Sequence, residues 1–313
     1  MRKNNIKGTL ILLLTALIWG TGFVAQTAGA DAMGTFSFNA YRSYIATVVL
    51  LLYIVIAALV MGRTAGTSFK EQFLSGWQIK GGIICGIVLT VAMNLQQAGI
   101  ESYPPEAAAS SRAGFLTAMY VVLVGVVSAI KNRRIDFVIT GCCVIVAIGL
   151  YLLCLSDGID RIYFGDILCF LCSIAYTVQI LVIDKYAAGN CVKLSMIQFF
   201  TVAVLSTICA AFMEGNTYFN IDSFAKASFS IFYLGIMSSG VAYTLQMVGQ
   251  KYAEPAVASI TMCLESVFAA LSGWIILSER LSIREFIGCA LLFVAVIVSQ
   301  LPDLISERKA HAS

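Results

Sequence analysis

Ten times along the chain, a stretch of about twenty residues passes with almost no charge. The runs cover 8–28, 37–61, 79–99, 107–130, 137–155, 164–183, 193–213, 229–249, 256–278 and 284–301. About twenty apolar residues in a helix cross the hydrocarbon core of a bilayer. Inside lipid no water satisfies the backbone, so a spanning segment must be a helix or part of a closed barrel. Barrel strands alternate with period two; these runs do not, and several are apolar all round. The fold class expected is therefore an all-α integral membrane protein with ten transmembrane helices. Composition agrees: 59% of residues are hydrophobic, 12% are charged, and the mean hydropathy is +0.89. A soluble chain carries about 25% charged residues. The longest connections, around 62–78 and 214–228, are too short to be domains.

Several functions lack material. A net charge of +3 is too small to point to nucleic acid. The one histidine, His311, stands in the polar C-terminal segment, which leaves little for a His-based metal site or acid–base catalysis. The ten cysteines fall mostly within apolar runs, without disulfide or zinc spacing. Cys169 and Cys172 form a C-x-x-C inside an apolar helix and read as small packing residues. There is no H-E-x-x-H, no phosphate loop and no paired aspartates in a helix, so neither an enzyme nor a cofactor is expected. The basic segment "MRKNNIK" before the first run imitates a signal peptide. Because the rest of the chain is equally apolar, it reads as an uncleaved first helix.

Loop charges set an orientation. With a cytoplasmic N-terminus, fourteen Lys and Arg fall on the inner side and four on the outer. Positive charge concentrates on the cytoplasmic side of membrane proteins. The expectation is a multi-pass protein of the inner or plasma membrane with both termini in the cytoplasm.

The two halves repeat. A shift of 157 places Gly8 on Gly165 and Trp19 on Tyr176. A shift of 150 places "LQQAG" (95–99) on "LQMVG" (245–249), and Pro105 on Pro255. A shift of 147 places "GCCVIVAIG" (141–149) on "GCALLFVAV" (288–296). The repeats are assigned to 1–155 and 156–302, with a cytoplasmic polar tail over 303–313. Five spans is an odd number, so the second repeat enters the membrane inverted. Inverted repeats with a site near the midplane are the architecture of many secondary transporters.

The stretches "GTLILLLTALIWGTGF" (8–23), "AYR" (40–42), "GDILCFLCSIAYTVQ" (165–179) and "LESVFAALSGWIILSERLSIREFIG" (264–288) carry a resemblance. On them, and on "RAGFLTAMYVVLV" (112–124), the chain resembles bacterial members of the EamA family of the drug/metabolite transporter superfamily. The resemblance covers nearly the whole chain. It implies a ten-helix carrier of small organic solutes, such as amino acids or amphipathic amines, often an exporter. It departs at the end of the fourth helix, where the Glu expected of the pattern is replaced by "KNRRID" (131–136).

Polar residues within a span mark cavities or partners. Glu265 stands at mid-depth in the ninth helix and is open to three readings: a structural pair with Arg112 or another donor, a substrate ligand, or the carrier of a coupling proton. Arg112 of the fourth helix is given a cavity role. Arg42 of the second is read as snorkelling or bridging helices. Asn94 and Gln97 share one face of the third helix, with Gln96 directed elsewhere and given a packing role with Gln246. Trp19, Tyr176, Gln179 and Tyr243 complete the candidate substrate-binding set. Gly82 and Gly86 form a G-x-x-x-G for close helix contact, and Gly20 and Gly22 serve packing or bending of the first helix. The expected partners are a small organic solute, the lipid bilayer and protons as coupling ion. A channel, a non-transporting scaffold and a membrane-embedded enzyme stand as alternatives, the enzyme last.

Overall fold

The computed structural model describes residues 6–30, 32–65, 76–104, 109–155, 162–215, 220–277 and 282–311. Among them there are ten helical rods and no strands. Six are continuous and precede or follow the interrupted ones: Ile6–Ala30, Thr35–Ala65, Gly76–Glu101, Phe137–Cys154, Phe164–Tyr186 and Cys191–Met213, with Ile283–His311 closing the chain as a seventh. The other three are interrupted. The fourth rod is Ala109–Ala118 followed by Tyr120–Asn132. The eighth runs through Ile221–Tyr233, Leu234–Ala242 and Tyr243–Gln250. The ninth is Pro255–Met262 followed by Glu265–Leu277. Nine rods hold windows long and apolar enough to cross a membrane, and the first is apolar over Ile6–Gly22. The last helix continues through the segment read as a tail, to His311. Glu279, Arg280 and Pro105 lie outside the described residues.

Local chemistry starts and stops these helices. The Asp136 carboxylate accepts from Val138 N and Ile139 N, Asn190 Oδ1 accepts from Lys193 N, and Asn220 Oδ1 accepts from Asp222 N. Each satisfies backbone donors that a helix start leaves open. Pro255 opens the ninth rod at a position that needs no N–H donor. Arg133, with φ of 50°, ends the fourth in the left-handed conformation.

The surface carries Leu, Ile, Val and Phe side chains, as a lipid-facing belt must, while Thr15, Asn39, Gln97, Gln179, Gln198 and Ser239 are buried. The rods pack with a two-fold pattern. The first helix lies against the eighth and ninth, and the sixth lies against the third and fourth. The second faces the seventh, and the fifth faces the tenth. Exchanging the repeats leaves these contacts unchanged. The glycines repeat the pattern in atomic detail. A Cβ on Gly8 would lie 3.1 Å from Gly249 O, and one on Gly165 would lie 2.7 Å from Gly99 O. Close backbone crossings of this kind need small residues. Gly82 and Gly86 let the seventh helix approach the third, where added Cβ atoms would meet Ile197 at 2.6 Å and Thr201 at 2.5 Å. The fold is the all-α, ten-helix, twice-five arrangement expected, with the second repeat inverted because each repeat has an odd number of spans.

Candidate functional site: a polar cavity between the repeats

All three helix interruptions meet at one place. In the fourth helix, Met119 N donates to Leu116 O at 3.3 Å, and Tyr120 begins the second half. In the ninth, Leu264 N donates to Thr261 O and Ser266 N to Cys263 O, tightening the turn before Glu265. In the eighth, Leu234–Ala242 is π-helical, a geometry that often accompanies functional sites. The first residues after the two breaks, Tyr120 and Glu265, line a common cavity together with Leu234 and Ser238 of the π-helical turn.

The cavity draws on both repeats. The first helix contributes Trp19, Gly22 and Gln26; the second Arg42; the third Gln96; the fourth Thr117 and Tyr120. From the other repeat come Tyr176, Gln179 and Ile180 of the sixth, Tyr243 and Gln246 of the eighth, and Met262 and Glu265 of the ninth. Its internal volume is ≈ 50 Å³. Roughly 10–15 Å³ measured this way holds one water, so the space suits a few waters or the polar head of a small solute.

Its walls form an aromatic and amide lattice. The Trp19 and Tyr243 rings meet edge-on at 4.8 Å. Tyr176 Oη lies 3.3 Å from Tyr243 Oη and donates to Gln96 Oε1 at 3.3 Å. Gln26 Nε2 donates to Gln96 Oε1, and Gln246 Nε2 to Gln179 Oε1. Trp19 Nε1, Arg42 Nε, Gln179 Nε2 and Gln246 Oε1 are buried without a protein hydrogen-bond partner. Buried polar atoms are normally paired, so this wall has capacity to bind a polar guest.

A basic and an acidic side chain face the cavity. Arg42 is 4% exposed and lies over the Phe38 ring at 5.6 Å; Glu265 is 8% exposed. Among the described residues neither is paired with an opposite charge. Trp19 with Tyr176 and Gln96 with Gln246 are repeat mates in this wall, whereas the first residue after the break is Tyr120 in the fourth helix and Glu265 in the ninth.

Residues 6–155 and 163–300 match the EamA-like transporter family. The chain belongs to the EamA-like transporter family. It is 28% identical over 292 residues to an uncharacterized transporter of Archaeoglobus fulgidus, covering 93% of this chain and 84% of that protein. A solved crystal structure with 18% identity superposes with a TM-score of 0.76, covering 97% of this chain and 99% of its own; it supports the fold alone. The EamA family lies within the drug/metabolite transporter superfamily, and the chain is a membrane transporter homologue.

Within this EamA fold, the structure brings together Trp19, Tyr176, Gln179, Tyr243 and Glu265 of the sequence-derived set. It sets the other three apart. Asn94 accepts from Asn39 Nδ2 at 2.8 Å and donates to Ser206 Oγ at 3.1 Å, joining the second, third and seventh helices. Gln97 is buried outside the cavity lining. Arg112 does not pair with Glu265. Its Nε and Nη2 donate to the two Asp166 carboxylate oxygens at 3.0 and 2.6 Å, and its guanidinium covers the Tyr163 ring. Asp166 also accepts from Tyr103 Oη and from Tyr163 N. Arg42 departs from the snorkelling reading: it is buried and lines the cavity rather than reaching an outer interface. Gln96, read as a packing residue, is the cavity-facing glutamine of the third helix, and its repeat mate Gln246 faces the cavity as well. Their shared identity at equivalent repeat positions was the signal available in the sequence. Gln26 and Tyr120 carried no such mark.

Proposed function

We propose that the chain is a secondary transporter that exports small zwitterionic or amphipathic amine solutes through this cavity. It works by alternating access between the inverted repeats and sits in the plasma membrane with both termini cytoplasmic. One observation carries this reading: a guanidinium side chain, Arg42, and a carboxyl side chain, Glu265, line one aromatic and amide cavity between the repeats. A guanidinium binds a carboxylate through directional, charge-assisted hydrogen bonds. A carboxylate binds an ammonium, and the Trp19, Tyr120, Tyr176 and Tyr243 rings accept the apolar body of a solute or its cation. Closing the cavity on each side in turn requires the interrupted fourth, eighth and ninth helices to adjust around a fixed site, as in other carriers built from broken helices. Glu265 is the group through which a proton can be exchanged for solute.

The purified chain in proteoliposomes tests this. Counterflow of labelled amino acids and amine metabolites is measured with and without a pH gradient. Saturable flux driven by the gradient in the wild type, with gradient-independent exchange in Glu265→Gln, supports a proton-coupled carrier. Flux that rises linearly with concentration identifies a channel instead.

A further inference from the structure

A second concavity lies away from the central site, between the fourth and fifth helices. Its volume is ≈ 610 Å³. The wall is apolar: Val126, Ile130, Ile135, Val144 and Ile148 line it and are half to mostly exposed. Its depth comes from small residues. Gly125 is so close to the fifth helix that an added Cβ would lie 2.7 Å from Cys143 Sγ, and Ala129 and Ala147 widen the space beside that contact. From Met119 to Ile130 the lining extends about 16 Å along the fourth helix, at 1.5 Å per residue. That is about the depth of one leaflet of a roughly 30 Å hydrocarbon core.

The mouth is charged. Arg133 and Arg134 line the end of the groove, on the short turn 133–136, with Lys131 in the last turn of the fourth helix beside them. The left-handed Arg133 ends the fourth helix there, with Arg133 N and Arg134 N donating to Ile130 O and Ala129 O. The nearest carboxylate in sequence, Asp136, is occupied in capping the fifth helix through Val138 N and Ile139 N. Among the described residues no carboxylate pairs with either arginine.

We infer that this groove is a binding site for one anionic phospholipid, with an acyl chain between the fourth and fifth helices and the phosphodiester on Arg133 and Arg134. An apolar slot one leaflet deep, ending in paired cations at the headgroup level, matches both parts of such a molecule. Basic pockets between spanning helices recognise anionic headgroups in this way, and Arg grips phosphate oxygens with two donors at once. A second copy of the chain is a poorer occupant, because two like-charged mouths would face each other.

The test uses the full-length purified chain, delipidated in neutral detergent and titrated with dioleoyl phosphatidylglycerol or dioleoyl phosphatidylcholine. Bound lipid is counted by native mass spectrometry. The expected result is a single phosphatidylglycerol adduct, with phosphatidylcholine clearly weaker. Removing both cations with Arg133→Gln and Arg134→Gln should weaken phosphatidylglycerol about thirty-fold, about fivefold for each cation at an anionic surface. Val144→Trp, an exposed position on the groove wall, should abolish the adduct with the arginines intact. Equal binding of the two lipids overturns the inference, as does an adduct that survives both sets of changes. Displacement of the adduct by inorganic phosphate, with Val144→Trp harmless, overturns it in favour of a bare anion site. A dimer mass without lipid, which Val144→Trp converts to monomer, overturns it in favour of a second copy.

Discussion

Arg112 grips Asp166 through both of its carboxylate oxygens, at 3.0 and 2.6 Å, and so ties the fourth helix to the sixth across the boundary between repeats. Tyr103 Oη, just beyond the end of the third helix, donates to Asp166 at 2.8 Å as well. Each side chain is nearly enclosed, at 10% exposure. Breaking a buried pair by removing one partner typically costs about 3–5 kcal/mol, because the other charge is left unpaired. Arg112→Gln and Asp166→Asn should each lower the thermal unfolding midpoint in detergent sharply. The double variant should recover part of the loss, since it leaves no lone charge. Additive losses in the double variant would show that the two side chains do not depend on each other.

Arg42 and Glu265 should separate in transport kinetics. Hydrogen bonds to charged groups contribute about 1.5–3 kcal/mol. Arg42→Gln should therefore raise KM for a carboxylate-bearing solute about ten- to a hundredfold, and spare a simple amine. Glu265→Gln should keep solute exchange but lose its response to a pH gradient. Concentration series at fixed internal pH read the first effect, and gradient-driven uptake reads the second.

Gly20 stands where the first helix crosses the ninth. A Cβ added there would lie 2.5 Å from Phe268 Cβ and 2.7 Å from Glu265 O. Overpacking of this kind costs about 1–3 kcal/mol. Gly20→Ala should lower stability by that order. It should also impair transport beyond the stability loss, because the displaced backbone carries Glu265. Transport per folded molecule, from fluorescence-detected size exclusion alongside uptake, distinguishes the two effects.

Asn94 is expected to matter for folding alone. Asn94→Leu removes its bonds to Asn39 and Ser206 and leaves buried polar groups unpaired, at about 1–3 kcal/mol each. The unfolding midpoint should fall while KM of the folded fraction stays unchanged.

Much of this molecule is legible in its residues, and the physical reason is simple. Length and apolarity of a span are set by the bilayer, so the ten runs coincide with the ten rods within a few residues, except that the eighth rod starts earlier, at Ile221, and the tenth runs on to His311. Gly8 with Gly165, and Gly99 with Gly249, mark the repeat because only glycine fits those crossings. Direction around a helix is harder to read. Gln96 and Gln97 are neighbours about 100° apart, and pairing Gln97 with Asn94 selected the face that packs on other helices rather than the one that opens on the cavity. Arg42 does not snorkel for a related reason: a shallow position along the axis does not reveal whether a long side chain turns inward or out. Arg112 found Asp166 rather than Glu265 because partner choice depends on which helix ends meet, and nothing local to either residue encodes that. The helix breaks at Met119 and before Glu265 carry no Gly or Pro, the usual sequence marks of a kink.

The fifth and tenth helices touch where Gly149 and Gly288 cross, with an added Cβ on Gly288 reaching to 2.7 Å from Gly149 O. Neither helix lines the central cavity. A contact between repeat mates, here as between the second and seventh helices, lies on the two-fold axis and is of the kind a free half-length chain would make with an upside-down copy of itself. The polypeptide is thus organised as a tethered antiparallel dimer. Cut between the repeats, its halves hold every helix-to-helix surface needed to find each other again, and each alone is left with half of a polar chamber open to lipid.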